Sequence, residues 1–112
     1  MTISDWIFSL QQALAQLPDD PGASRAHYVI RHGTMRAGVY APVEGDTQTP
    51  HTQDELYIVI SGTGEVINDG ERRAFAPQDV IFVKAGAEHR FENFTDDFAT
   101  WVVFWGAKGG EA

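Results

Sequence analysis

From Ala26 to Trp105 the sequence is broken into short runs rich in Val, Ile, Tyr, Phe and Trp, each closed within a few residues by Gly, Asn, Asp, Ser or Pro. β-Branched and aromatic side chains suit a pleated, half-buried surface, and runs this short favour strands over helices. The pattern predicts strands near 26 to 31, 34 to 41, 54 to 61, 64 to 68, 71 to 76, 80 to 84, 88 to 93 and 98 to 105. The turns agree with it. Ser61-Gly62-Thr63-Gly64 tolerates positive φ, and Asn68-Asp69-Gly70 is a strong hairpin signal. An all-β sandwich or barrel follows.

Ahead of the strands, Trp6, Ile7, Leu10, Ala13, Leu14 and Leu17 recur at helical spacing, with Thr2 or Ser4 available as a cap and Pro18 as a stop. One amphipathic helix is predicted, its apolar stripe packed on the outside of the barrel or on a second subunit. Residues 18 to 24 have the composition of a loop, and the glycine-rich end is expected to fray. The expected organisation is therefore helix and loop over 1–25, barrel over 26–106 and a flexible tail over 107–112. A chain of 112 residues supports one continuous core and one site.

Sixteen acidic against eight basic residues give a net charge of −8, which repels phosphate backbones and anionic lipid. Neither nucleic acid nor a membrane is expected as a partner. There is no cysteine, so any metal must be held by nitrogen and oxygen. No basic leader or long apolar run occurs, which makes the cytoplasm the default expectation.

Two segments place polar, metal-binding side chains inside strand-like apolar sequence: Thr49 to Gly62 and Pro77 to Asn93. Alternation along a strand puts His51, Glu55, Tyr57 and Val59 on one face and Leu56 and Ile58 on the other, with Asp54 facing outward into solvent. His89, Phe91 and Asn93 form a second row. Enclosing a carboxylate and two imidazoles would cost several kcal/mol without a partner, and a divalent cation satisfies all three together.

These two segments resemble the motifs of the cupin superfamily. Taking His51 as the second histidine of the first motif, three residues precede Glu55 and six more precede Gly62, as the family pattern expects; Thr49 stands in place of the first histidine and Val43 in place of the leading glycine. In the second motif Gly86, His89 and Asn93 match, with Gln78 replacing a glycine and Lys84 a proline. The resemblance spans roughly residues 34 to 105 and implies a double-stranded β-helix, or jelly-roll, barrel. It also implies a divalent metal ion, iron, zinc, manganese or nickel, on His51, Glu55 and His89. Gln48 or Gln53 is the candidate for the position that Thr49 leaves open. Homodimers are common among such proteins, and the resemblance implies a small-molecule ligand or substrate.

Two histidines and a carboxylate with open positions suit iron(II) oxygen chemistry and catalytic zinc alike. The expected function is a metal-dependent small-molecule enzyme of oxygenase, isomerase or lyase type, and the competing one a non-catalytic binding or sensing module. No catalytic residue is assigned. Tyr57 and Phe91 are candidates to line a pocket. His27 and His32 are read as structural, and Arg36 as an exposed arginine at a strand edge.

Overall fold

The structure, a computed structural model, describes residues 6–19, 25–46 and 48–111. Eight strands follow one short helix: α1 (Leu10–Ala15), β1 (Ala26–His32), β2 (Met35–Tyr40), β3 (Asp54–Ser61), β4 (Gly64–Asn68), β5 (Glu71–Phe75), β6 (Val80–Val83), β7 (His89–Glu92) and β8 (Ala99–Trp105). They form two antiparallel sheets, one ordered β1-β2-β8-β3-β6 and the other β5-β4-β7. The chain is all-β, as expected, and every strand falls within a few residues of its predicted place.

Between the sheets lies a core rich in aromatic rings. Tyr57, Val59, Val102 and Phe104 enter it from the larger sheet and Val66, Phe75 and Phe91 from the smaller. Phe91 is central, with ring centroids 4.9 Å from Tyr57, 5.5 Å from Phe75 and 4.7 Å from Phe98. Edge-to-face and tilted packing of this kind adds to the burial that drives the sheets together. Truncating such a ring costs about 3–5 kcal/mol.

The reversals obey local chemistry. Between β4 and β5, Asp69 and Gly70 both take positive φ, at 53° and 87°, so the strands meet through the primed turn whose twist matches theirs. Gly62, between β3 and β4, has φ 85°, and a Cβ there would lie 2.6 Å from Phe98 Cα. Only glycine fits.

The helix is shorter than its periodicity suggests. It starts at Leu10 because Ser9 is its cap, accepting a hydrogen bond from Gln12 N–H at 3.0 Å. Trp6 and Ile7 precede it and are 82% and 77% exposed, so they do not join the apolar stripe. Thr2 and Ser4, the caps read from sequence, lie outside the described residues. Ala13 is buried, and the helix packs on β1 and β2. No helix among the described residues is long and apolar enough to cross a membrane.

Two expectations about single side chains fail. Asp54 does face away from Glu55, yet it is only 5% exposed, because the chain after β8 folds back over it. Its carboxylate accepts from Ala85 N–H and Glu111 N–H, each at 2.9 Å, and Gly109 N–H donates to Thr52 O at 2.7 Å. Alternation states which face a residue takes, not whether that face is covered. Arg36 is not at an edge either: β2 is flanked by β1 and β8, and the guanidinium lies over the rings of Phe104 and Tyr28.

Candidate metal centre

Three elements deliver the polar cluster. His51 sits in the loop entering β3, Glu55 is the second residue of β3, and His89 opens β7 in the opposite sheet. A backbone bond joins their segments, with Gly86 N–H donating to His51 O at 2.7 Å. One donor atom from each of the three residues lies within 4.8 Å of the others. Opposed ligands of an ion with bonds of about 2.1 Å stand about 4.2 Å apart, so the set closes on a cation with small adjustments.

A positive charge would relieve the electrostatics of the cluster. Glu55 and His89 side chains are 2% and 1% exposed, and Glu55 Oε1 lies 3.0 Å from His89 Nε2. Neither atom makes a hydrogen bond of usable geometry. His89 Nδ1 is 2.9 Å from the Ala87 carbonyl, and since a carbonyl can only accept, Nδ1 carries a proton. In the neutral ring Nε2 then presents a lone pair to a carboxylate oxygen, an arrangement that costs energy unless a positive charge sits between them.

The two imidazoles respond in opposite directions. Burial lowers the pKa of His51, only partly offset by Glu55, with His89 and Arg36 pushing the same way as burial. For His89 burial also opposes charging, but the Glu55 carboxylate and the Ala87 carbonyl outweigh it and the pKa rises. A proton on His89 is the substitute for a cation that this chain can supply by itself.

Beside the cluster is a cavity of about 50 Å³ lined by Tyr28, Tyr40, Gln48, His51, Glu55 and Tyr57, with Val102 and Phe104. Gln48 supplies its polar wall. Asp46 holds the Gln48 amide nitrogen at 2.6 Å and accepts from Tyr40 Oη at 2.6 Å and Phe91 N–H at 2.8 Å. The amide oxygen is thereby turned inward, accepting from Tyr57 Oη at 3.1 Å and lying 3.4 Å from His51 Nε2. Tyr57 stays a phenol, its pKa raised by burial and then by Glu55, and Tyr40 likewise by burial and then by Asp46.

Of the two glutamines considered for the open position, only Gln48 reaches the cluster. Gln53 gives its amide nitrogen to Thr34 O and Gly106 O at 2.8 and 3.0 Å, tying strand ends together. Tyr57 borders this cavity, and Phe91 lies among the core rings and borders a separate hollow with Asp46 and Asn93. Asn93 does not continue the row of His89 and Phe91: β7 ends at Glu92, Asn93 takes φ 52°, and its amide donates to Glu65 at 2.7 Å. His27 and His32 are on β1, outside the cluster. Sequence reading missed Tyr28, Tyr40 and Asp46. The tyrosines were reachable by alternation only with the strand order known, and Asp46, in a loop, carries no periodic signal.

Comparison with known proteins agrees with this architecture. The family described as Cupin domain matches residues 36–105. The uncharacterized protein SCO3923 of Streptomyces coelicolor is 35% identical over 95 residues, covering 81% of this chain and 90% of that protein. Among solved structures, a Cupin 2 conserved barrel domain protein from Salinispora arenicola superposes with a TM-score of 0.68 at 28% identity, covering 93% of this chain and 91% of the other. A protein of unknown function from Rhizobium leguminosarum bv. viciae reaches a TM-score of 0.76 at 19% identity, covering 94% and 100%. The cluster of His51, Glu55 and His89 lies within the matched segment, and the chain belongs to the cupin family.

Proposed function

We propose that this cupin binds a divalent metal ion through His51, Glu55 and His89 and acts as a metal-dependent enzyme on a small molecule. The observation that carries the reading is the pair of enclosed atoms, Glu55 Oε1 and His89 Nε2, 3.0 Å apart and without hydrogen bonds. A buried carboxylate facing the lone pair of a neutral imidazole is strongly unfavourable, and a shared cation removes the cost for both atoms. The chemistry supplied by an ion held there is Lewis-acid polarisation of a substrate oxygen.

The chain's own groups define the rest. Gln48 Oε1 is presented by Asp46 where the usual first histidine is replaced by Thr49, and as a neutral, weak donor it leaves a position that a substrate can take. Tyr57 offers a protonated hydroxyl beside it. The aromatic wall excludes bulk water, which strengthens every charge interaction inside.

The test is elemental analysis of protein purified without added metal, followed by reconstitution with iron(II), zinc, manganese or nickel and assay of oxygen uptake and product formation on small organic acids, thiols and sugars. Stoichiometric metal with turnover supports the proposal; absence of metal under every loading condition overturns it. The cavity of about 50 Å³ holds an ion and a few waters, and this tightness favours, as the second reading, a non-catalytic module that senses a small ligand. Metal binding with silent assays and a ligand-dependent shift in melting temperature would select it. A homodimer is part of the same proposal, and sedimentation of the purified protein measures it.

A further inference from the structure

Among the described residues of this strongly acidic chain, two arginines stand side by side without acidic partners, close to the cavity. Arg31 on β1 is directly opposite Arg36 on β2. Like charges at directly opposed strand positions repel. Of the other arginines, Arg72 pairs with Glu65 and Glu92, Arg73 with Glu71 and Arg90 with Glu92, and Arg25 donates to the carbonyls of Pro18 and Ala41. Among the described residues neither Arg31 nor Arg36 forms an ion pair, and Arg36 Nε is enclosed without a hydrogen-bond partner.

A break in the strand puts them together. Tyr28 is opposite Gly38 and Ile30 opposite Ala37, so Val29 is an extra residue, a β-bulge. In a regular strand Tyr28 and Arg31, three apart, would face opposite sides. The bulge reverses the alternation between them and turns Arg31 onto the side that Tyr28 and Arg36 share. Bulges that re-aim a side chain in this way concentrate beside functional sites. Both guanidinium groups now bear on one ring, with Arg31 Cζ 5.2 Å and Arg36 Cζ 4.9 Å from the Tyr28 centroid.

That ring belongs to the cavity. Tyr28 and Phe104 both line it. Phe104 has Arg36 Cζ 4.4 Å from its centre and the His51 ring centre 4.8 Å away, which makes the guanidinium and His51 neighbours across one side chain. The geometry points to Arg31 and Arg36, which adjoin the cavity through Tyr28 and Phe104 without lining it, as a carboxylate receptor beside that cavity, so that the small molecule taken by this site is a short-chain organic acid reaching the cavity with one end only. A guanidinium fork matches a carboxylate edge in two parallel hydrogen bonds, and the Arg36 guanidinium is packed against the rings of Tyr28 and Phe104. A small turn of the guanidinium brings its unpartnered Nε–H into the fork. The surrounding negative charge discourages polyanions and favours a small acid. The assignment of substrate class rests on the proposed metal site, but the anion receptor itself does not.

Titration of metal-free protein, prepared with chelator and then dialysed, separates the two. Malonate and succinate are added to wild type, Arg31→Gln, Arg36→Gln, Arg36→Lys and, as a control far from the cavity, Arg72→Gln. Binding is read by calorimetry and by the Arg36 Nε–H resonance of the wild type. The expected result is saturable binding of at least one dicarboxylate with a shift of that resonance, about tenfold weaker in each glutamine variant, incompletely restored by lysine and unchanged in Arg72→Gln. An unmoved resonance, equal affinity in Arg36→Gln, or binding of inorganic phosphate with both dicarboxylates silent overturns the inference. Should a glutamine variant fail to fold, the wild-type resonance still decides. Elemental analysis of the same wild-type protein before chelation reads the metal separately, so either proposal can fail while the other stands.

Discussion

Gly86 donates its amide to the His51 carbonyl at 2.7 Å, and this backbone bond ties the segment carrying His51 and Glu55 to the turn that launches His89. The two halves of the candidate centre are thus registered by the main chain before any ion is considered. Preorganisation of this kind lowers the ordering cost that binding would otherwise carry.

Metal should stabilise the fold. With free ion at about a hundredfold over Kd the gain is about 2.7 kcal/mol, or a rise in Tm of about 10 °C for a chain of this size. Thermal melts of wild type, His51→Ala, Glu55→Gln and His89→Ala with and without chelator check it. Only the wild type should lose a chelator-sensitive increment; an equal increment in all four would remove these residues from the site.

Gln48 and Gln53 should behave differently although they are close in sequence. Gln48→Ala removes the amide oxygen beside His51 and should weaken metal affinity by about tenfold, the scale seen when groups that orient ligands are lost. Gln53→Ala breaks its bonds to Thr34 O and Gly106 O and should lower Tm while leaving the absorption spectrum of cobalt-substituted protein intact. Matching spectra for both variants would contradict the placement.

Asp54 is held ionised, its pKa lowered by the amides of Glu111 and Ala85. A depressed folded pKa means that its contribution is fully present above the unfolded value of 3.8 and is lost as pH falls through the folded value. Asp54→Asn should therefore melt below wild type at neutral pH, and the gap should close as acid protonates the wild-type carboxyl. A gap independent of pH between 2 and 7, about the range over which a carboxyl titrates, would show that charge is not what ties the chain after β8.

Two glycines should differ in their tolerance of alanine. Gly70 has positive φ with open space around it, so Gly70→Ala should cost about 1–2 kcal/mol for the left-handed backbone. Gly62→Ala adds the collision with Phe98 Cα and should cost about 3 kcal/mol or more. Denaturant titration gives both values, and equal costs would mean that the β3–β4 turn relaxes freely.

Strand positions, both reversals and the grouping of His51, Glu55 and His89 as neighbours were legible in the sequence, because period-two alternation, turn residues and motif spacing are local properties that a one-dimensional chain displays. Asp46 behind Gln48, the covered face over Asp54 and the apposition of Arg31 with Arg36 were decided only in three dimensions. Each depends on which distant segment arrives at a given face, through strand order, a single-residue bulge or a returning chain. Pairwise contacts of that kind follow from the global packing of the sheets, and no window of neighbouring residues contains them.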